Sequence, residues 1–180
     1  MSHPYRIVFA GPVGAGKTTA IAALSDIPPI TTEVASAEAE AAGKRTTTVA
    51  FDLGQILLPG GDLVQLYGAP GQARFDFMWP LISAGAIGAV ILADDRRTDS
   101  IDVTVQYVRE FAPRVPAGNC VVGVGRSELR RHSRIDAYAE SLSAAGFALP
   151  VMAVDVRRRE HALLLLEALL ARLEVAADGV

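Results

Sequence analysis

Cysteine is almost absent from this 180-residue chain. Cys120 stands alone, which excludes an internal disulfide and a cysteine-based zinc cluster. A surplus of positive charge is missing too: 17 Lys and Arg face 20 Asp and Glu, a net charge of −3. That balance argues against a general nucleic-acid binder. No apolar run reaches the roughly 20 residues that a membrane span needs. Residues 84–93 are too short, and residues 162–173 are interrupted by Glu167 and Arg172 and read as an amphipathic helix packed on a sheet. The three histidines, His3, His132 and His161, show no metal-ligand spacing. Residues 1–6 have no charged-then-apolar leader pattern, Ser2 stands where myristoylation needs glycine, and residues 176–180 offer no cysteine for prenylation. The expected compartment is the cytoplasm. What remains is 51% hydrophobic and 21% charged, a globular composition of a size that fits one domain.

Along the chain, short apolar runs alternate with helical patterns. Residues 5–10, 47–53, 63–67, 86–93, 120–124 and 150–154 read as strands, and residues 16–24, 76–83, 100–111, 135–145 and 158–175 as helices. The cluster Leu58-Pro59-Gly60-Gly61-Asp62 predicts a hairpin between the second and third strands. Residues 27–43, rich in Ala, Glu, Thr and Pro, read as a mobile loop. The alternation predicts an α/β fold with a mostly parallel sheet covered on both faces.

The strongest local signal is Gly11-Pro12-Val13-Gly14-Ala15-Gly16-Lys17-Thr18, a full match to G-x-x-x-x-G-K-[ST] between an apolar strand and a helix. Glycines let the backbone wrap a phosphate and turn its N–H groups inward. Lys17 is expected at the β and γ phosphates, Thr18 on Mg²⁺, and Thr19 beside them. This motif identifies a nucleoside triphosphate site without naming the base.

Gly68-Ala69-Pro70-Gly71-Gln72 follows the third predicted strand and resembles the D-x-x-G-Q switch II element of Ras-like GTPases. With Thr46-Thr47-Thr48 before it, nearly the whole chain resembles bacterial small GTPases of the MglA type. The segments Lys44 to Asp52 and Ala69 to Phe75 narrow the resemblance to the GTP-binding proteins of conserved actinobacterial operons, encoded beside a sensor-kinase-like protein and a Roadblock/LC7 protein. The resemblance implies a P-loop NTPase fold with a six-stranded sheet, one strand antiparallel and helices on both faces. It also implies a GTP/GDP switch with slow hydrolysis adjusted by the Roadblock partner.

Four positions depart from the Ras-like pattern. Gly68 replaces the aspartate that holds Mg²⁺ through water; MglA-type proteins carry an aspartate on the second strand instead, here Asp52. Gly125-Arg126-Ser127-Glu128 replaces the guanine-reading N-K-x-D, leaving Glu128 as the carboxylate for the guanine edge. Asp155-Val156-Arg157 replaces S-A-K, with a Val156 backbone N–H for the guanine O6. Thr47 occupies the position of the MglA-type arginine if Thr48 is the switch threonine; Arg45 serves only with a shifted loop, and Thr46 and Thr47 compete with Thr48. Gln72 is the candidate to orient the attacking water.

Phe75 and Trp79, four apart, are expected to share an exposed face for a partner. Residues 95–99 read as a solvated loop and helix cap, His161 as a surface or packing residue, and Cys120 as an inert small side chain. Two rival readings stand: a nucleotide-binding interaction module with negligible turnover, and a P-loop ATPase or kinase using Arg126, Arg130, Arg131 and Arg134.

Overall fold

The computed structural model describes residues 4–35, 48–126 and 134–178. Strand β1 (Tyr5–Ala10) runs into the phosphate loop and helix α1 (Lys17–Leu24). Strands β2 (Ile30–Ala35), β3 (Thr48–Leu57) and β4 (Leu63–Gly68) follow, then a 3₁₀ segment (Ala73–Met78) and the short helix α2 (Trp79–Ser83). The rest alternates as β5 (Ala86–Asp94), α3 (Ser100–Phe111), β6 (Cys120–Gly125), α4 (Ile135–Ala144), β7 (Val151–Val154) and α5 (Arg159–Asp178).

The strands form one sheet in the order β2-β3-β4-β1-β5-β6-β7. Strand β3 is antiparallel to both neighbours, and the pairs from β4 through β7 are all parallel. The six expected strands and the single antiparallel one are present, and β2 adds a seventh at the edge.

That edge strand corrects the expectation of a loop over residues 27–43. Ile30 to Ala35 carries four β-branched residues and pairs in continuous antiparallel register with Thr48 to Leu53. Pairing along the free edge of β3 overrides the weak local signal. The hairpin between β3 and β4 forms as expected: Gly61 takes φ 86°, and the Leu58 N–H donates to the Asp62 carbonyl at 2.9 Å. Strand β3 runs four residues past its predicted end because it stays paired with β4 as far as Leu57 opposite Leu63.

Side chains of β1 alternate between two cores, as a strand buried on both faces requires. Ile7 and Phe9 pack with Ile21 and Leu24 of α1 and with Leu165 and Leu169 of α5. Val8 and Ala10 pack with Met78, Val108, Phe111, Tyr138 and Leu142 on the other side. Glycines admit α5 closely. A Cβ on Gly88 would lie 2.8 Å from Leu169, and one on Gly123 would lie 3.0 Å from Leu165.

Candidate functional site

Strands β1, β4, β5, β6 and β7 all end at one edge of the sheet, where ligands bind in open α/β folds. The phosphate loop crosses this edge. Gly11, Gly14 and Gly16 have φ of 139°, 81° and 101°, the left-handed region that glycine adopts without strain. Gly11 is also fixed by space, since a Cβ there would come within 2.2 Å of the Leu92 carbonyl oxygen. Gly16 hands the chain to α1, and its carbonyl accepts the Ala20 N–H at 2.8 Å.

Two cavities flank the loop. One, of about 450 Å³, is lined among others by Val13, Gly14, Lys17, Thr18, Asp52, Gly68, Gly71, Gln72 and Arg74. Lys17 Nζ donates to the Gly11 and Pro12 carbonyls at 2.7 and 2.8 Å. Burial pulls its ammonium down from the ordinary lysine value to about 8, with Asp52 opposing the shift. The Thr18 hydroxyl donates to Asp52 Oδ2 at 2.5 Å.

Asp52 and Gly68 sit directly opposite each other in the β3–β4 register. A Cβ on Gly68 would lie 3.3 Å from Asp52 Oδ2, so glycine clears the space into which the neighbouring strand extends its carboxylate. Hydroxyl and carboxylate oxygens together suit a hard divalent cation such as Mg²⁺. Among the described residues no cluster of three or more His, Cys, Asp or Glu suits a metal, so any cation here depends on Thr18, Asp52, water and phosphate oxygens.

The switch-like segment is built against the phosphate loop. Gly71 must be glycine because a Cβ there would stand 2.7 Å from Pro12 C and Val13 N. Gln72 is exposed at the cavity mouth, and the Arg74 guanidinium lies 4.7 Å from the Phe75 ring centroid.

Phe75 and Trp79 do not present an exposed face: both are buried, Trp79 against Tyr107 and Phe111 with ring centroids 5.3 and 5.2 Å apart. The cause is a 3₁₀ segment where a regular helix was expected from residue 76, which turns Phe75, Met78 and Trp79 inward. Phe77 and Leu81, 44% and 63% exposed, are the apolar side chains left outside.

The second cavity, of about 380 Å³, is lined by Ala15, Gly16, Thr19, Asp94, Arg96, Gly125, Arg126, Asp155, Val156 and Arg157, among others. Arg126 and Val156, expected at the base, are therefore brought together with Thr19. The signal missed in the sequence is Asp94. It is buried at the end of β5, clasped by Arg96 at 2.6 and 2.9 Å and approached by Arg126 at 3.4 Å.

Residues 95–99 are not all solvated: Asp95, the first residue of the turn after β5, is fully buried, its N–H donating to the Gly125 carbonyl at 3.1 Å and its carboxylate accepting the Tyr138 hydroxyl at 3.0 Å. His161 is part of the site's frame, its Nδ1 accepting the Asp155 N–H at 3.0 Å. Asp155 is held down to about 2 by hydrogen bonds from Arg157 and so stays ionised. Cys120 is buried, and burial pushes its thiol up to about 12, which leaves it unreactive as expected.

Thr48 opens β3 opposite Ala35. Thr46, Thr47, Arg45 and Lys44 lie outside the described residues, as do Ser127, Glu128, Arg130 and Arg131.

No helix among the described residues is long and apolar enough to cross a membrane. No curated protein matches the chain in sequence. Among solved structures, the G domain of the FeoB iron transporter of T. maritima is similar in fold, with a TM-score of 0.64 at 17% identity, covering 94% of this chain and 98% of that one. The architecture is that of a P-loop NTPase of the G-domain kind. A family model described as conserved hypothetical ATP binding protein matches residues 9–116, from the end of β1 through the phosphate loop, Asp52 and Gln72 to the turn after α3, and the chain belongs to that family.

Proposed function

We propose that the chain works as one unit, a guanine-nucleotide switch that binds GTP with Mg²⁺, hydrolyses it slowly and presents its state to a partner. One observation carries the reading: the Thr18 hydroxyl meets Asp52 at 2.5 Å in the cavity that also holds Lys17, Gly71 and Gln72. These are the parts that phosphoryl transfer needs, with the metal-supporting carboxylate moved from β4 to β3. Thr18 and Asp52 would hold the ion, Asp52 by fixing its waters, and the bound ion would supply positive charge against the phosphates. Lys17 supplies the fixed cation at those phosphates, and the loop N–H groups cradle them. Thr48 is the proposed switch threonine, and the Gly71 N–H faces the γ phosphate. Gln72 orients a water for in-line attack on the γ phosphorus as the bond to the bridging oxygen breaks, giving GDP and phosphate.

The base occupies the cavity between Gly16 and Arg126, with Glu128 accepting from the guanine edge and the Val156 N–H donating to O6. The resemblance to MglA-type proteins supports control by a Roadblock/LC7-type partner, with a sensor-kinase-like protein as a further associate. Exposed Phe77 and Leu81, on the segment that follows Gln72, support a docking face there. A cytoplasmic location fits this reading.

A second reading, an ATP-driven protein of the same fold, is favoured by the name of the matching family. Competition for a labelled triphosphate separates the two. GTP is expected to displace it at a concentration at least tenfold below that of ATP, since a guanine-edge carboxylate forms a charged pair of hydrogen bonds worth about 1.5–3 kcal/mol. Equal or better displacement by ATP would establish the second reading. Phosphate release lost in Gln72→Leu with binding kept supports turnover at this site; unchanged release removes Gln72 from it.

A further inference from the structure

Two buried aromatic side chains reach the switch-like segment with their polar ends. Trp79 Nε1 donates to the Pro70 carbonyl at 3.1 Å, and the Tyr107 hydroxyl donates to the Gly71 carbonyl at 3.1 Å. The rings belong to one cluster with Phe111, both are only 8% exposed, and Tyr107 comes from α3, a separate element. Burial raises the Tyr107 phenol above its ordinary value, which favours its protonated, donating form.

A trans peptide is planar and sets its N–H antiparallel to its C=O, and among the described residues there is no cis bond. Fixing the Pro70 carbonyl on the indole therefore fixes the Gly71 N–H away from the aromatic cluster. Fixing the Gly71 carbonyl on the phenol does the same for the Gln72 N–H. On its other side Gly71 packs on the backbone of Gly11, Pro12 and Val13, with no room for a Cβ.

We infer that Trp79 and Tyr107 are positioning residues that hold two successive peptide groups, Pro70–Gly71 and Gly71–Gln72, in the orientation that presents the Gly71 N–H and Gln72 to a γ phosphate. They act through the backbone and touch no ligand themselves. The inference rests on the nucleotide reading above. It adds that preference for triphosphate over diphosphate is set by indole and phenol donors in the core.

The test is the ratio of affinities for GDP and the non-hydrolysable analogue GppNHp, with the ADP and AppNHp pair measured alongside. Tyr107→Phe removes one oxygen, and Trp79→Phe removes the donor while keeping an aromatic ring. Loss of a charge-assisted donor's orientation predicts that each variant loses about five- to tenfold in triphosphate affinity. Diphosphate affinity should stay within about twofold, since that ligand has no group facing Gly71. Retained diphosphate binding also reports that the variant is folded. An unchanged triphosphate-to-diphosphate ratio in both variants would overturn the positioning role alone, and so would an equal fall for both ligands, which is what a purely packing role predicts. A wild-type chain that binds neither nucleotide pair would overturn the nucleotide reading, and this inference with it.

Discussion

Lys17 shows how one side chain couples fold and chemistry. Its ammonium donates to two loop carbonyls, and desolvation by burial lowers it to about 8 from the ordinary lysine value, with Asp52 opposing the shift. A bound triphosphate favours the protonated form, so binding takes up a proton wherever free Lys17 is neutral. Triphosphate affinity is therefore highest below about pH 8 and falls as pH rises through it, by about tenfold per pH unit at most. Lys17→Arg keeps the charge and should flatten this dependence, while Lys17→Ala should abolish tight binding at every pH; calorimetry at three pH values checks both. The same residue was plain in the sequence, because the motif names it. Asp94 was not. Its neighbours Arg96 and Arg126 come from a turn and from the end of β6, and only the parallel register that sets Asp94 beside Gly125 brings them together.

Elements were legible where burial is periodic or continuous. Strands β1, β5 and β6 are apolar runs stopped by glycine or aspartate, and α3 has its Ser100-to-Phe111 bounds in the sequence pattern. Strand β2 was missed because its evidence lies in a partner: six residues with two threonines read as a loop until β3 offers an open edge. The segment after Gln72 was misread for the opposite reason. Its aromatics at helical spacing suggested a shared outer face, but the 3₁₀ turn changes the period and buries Phe75 and Trp79. Helix α5 is anchored chiefly by Leu165 and Leu169 over the glycines of β5 and β6. Leu165→Ala should cost about 3 kcal/mol in urea unfolding, the range for a fully buried leucine. A change below about 1 kcal/mol would mean that α5 packs less tightly on the sheet than these contacts indicate.

Across the whole molecule, the sheet places five strand ends on one edge and so gathers groups that are far apart in the chain: Lys17, Asp52, Gly71, Arg126 and Val156. Fold class was readable because motif, alternation and order agree. The placing of Asp52 at the metal site was readable only through the resemblance to MglA-type proteins, since its distance from Thr18 depends on the β3–β4 register, which sets Asp52 opposite Gly68. That placing is the centre of the functional account. The most direct test is a Mg²⁺ titration of GTP binding by the wild type and by Asp52→Asn, with magnesium-free GDP binding as the reference. A carboxylate that orients metal-bound water predicts that the variant needs about tenfold more Mg²⁺ for half-maximal GTP binding while GDP binding without the metal is unchanged. Superimposable Mg²⁺ titrations for the two proteins would contradict it.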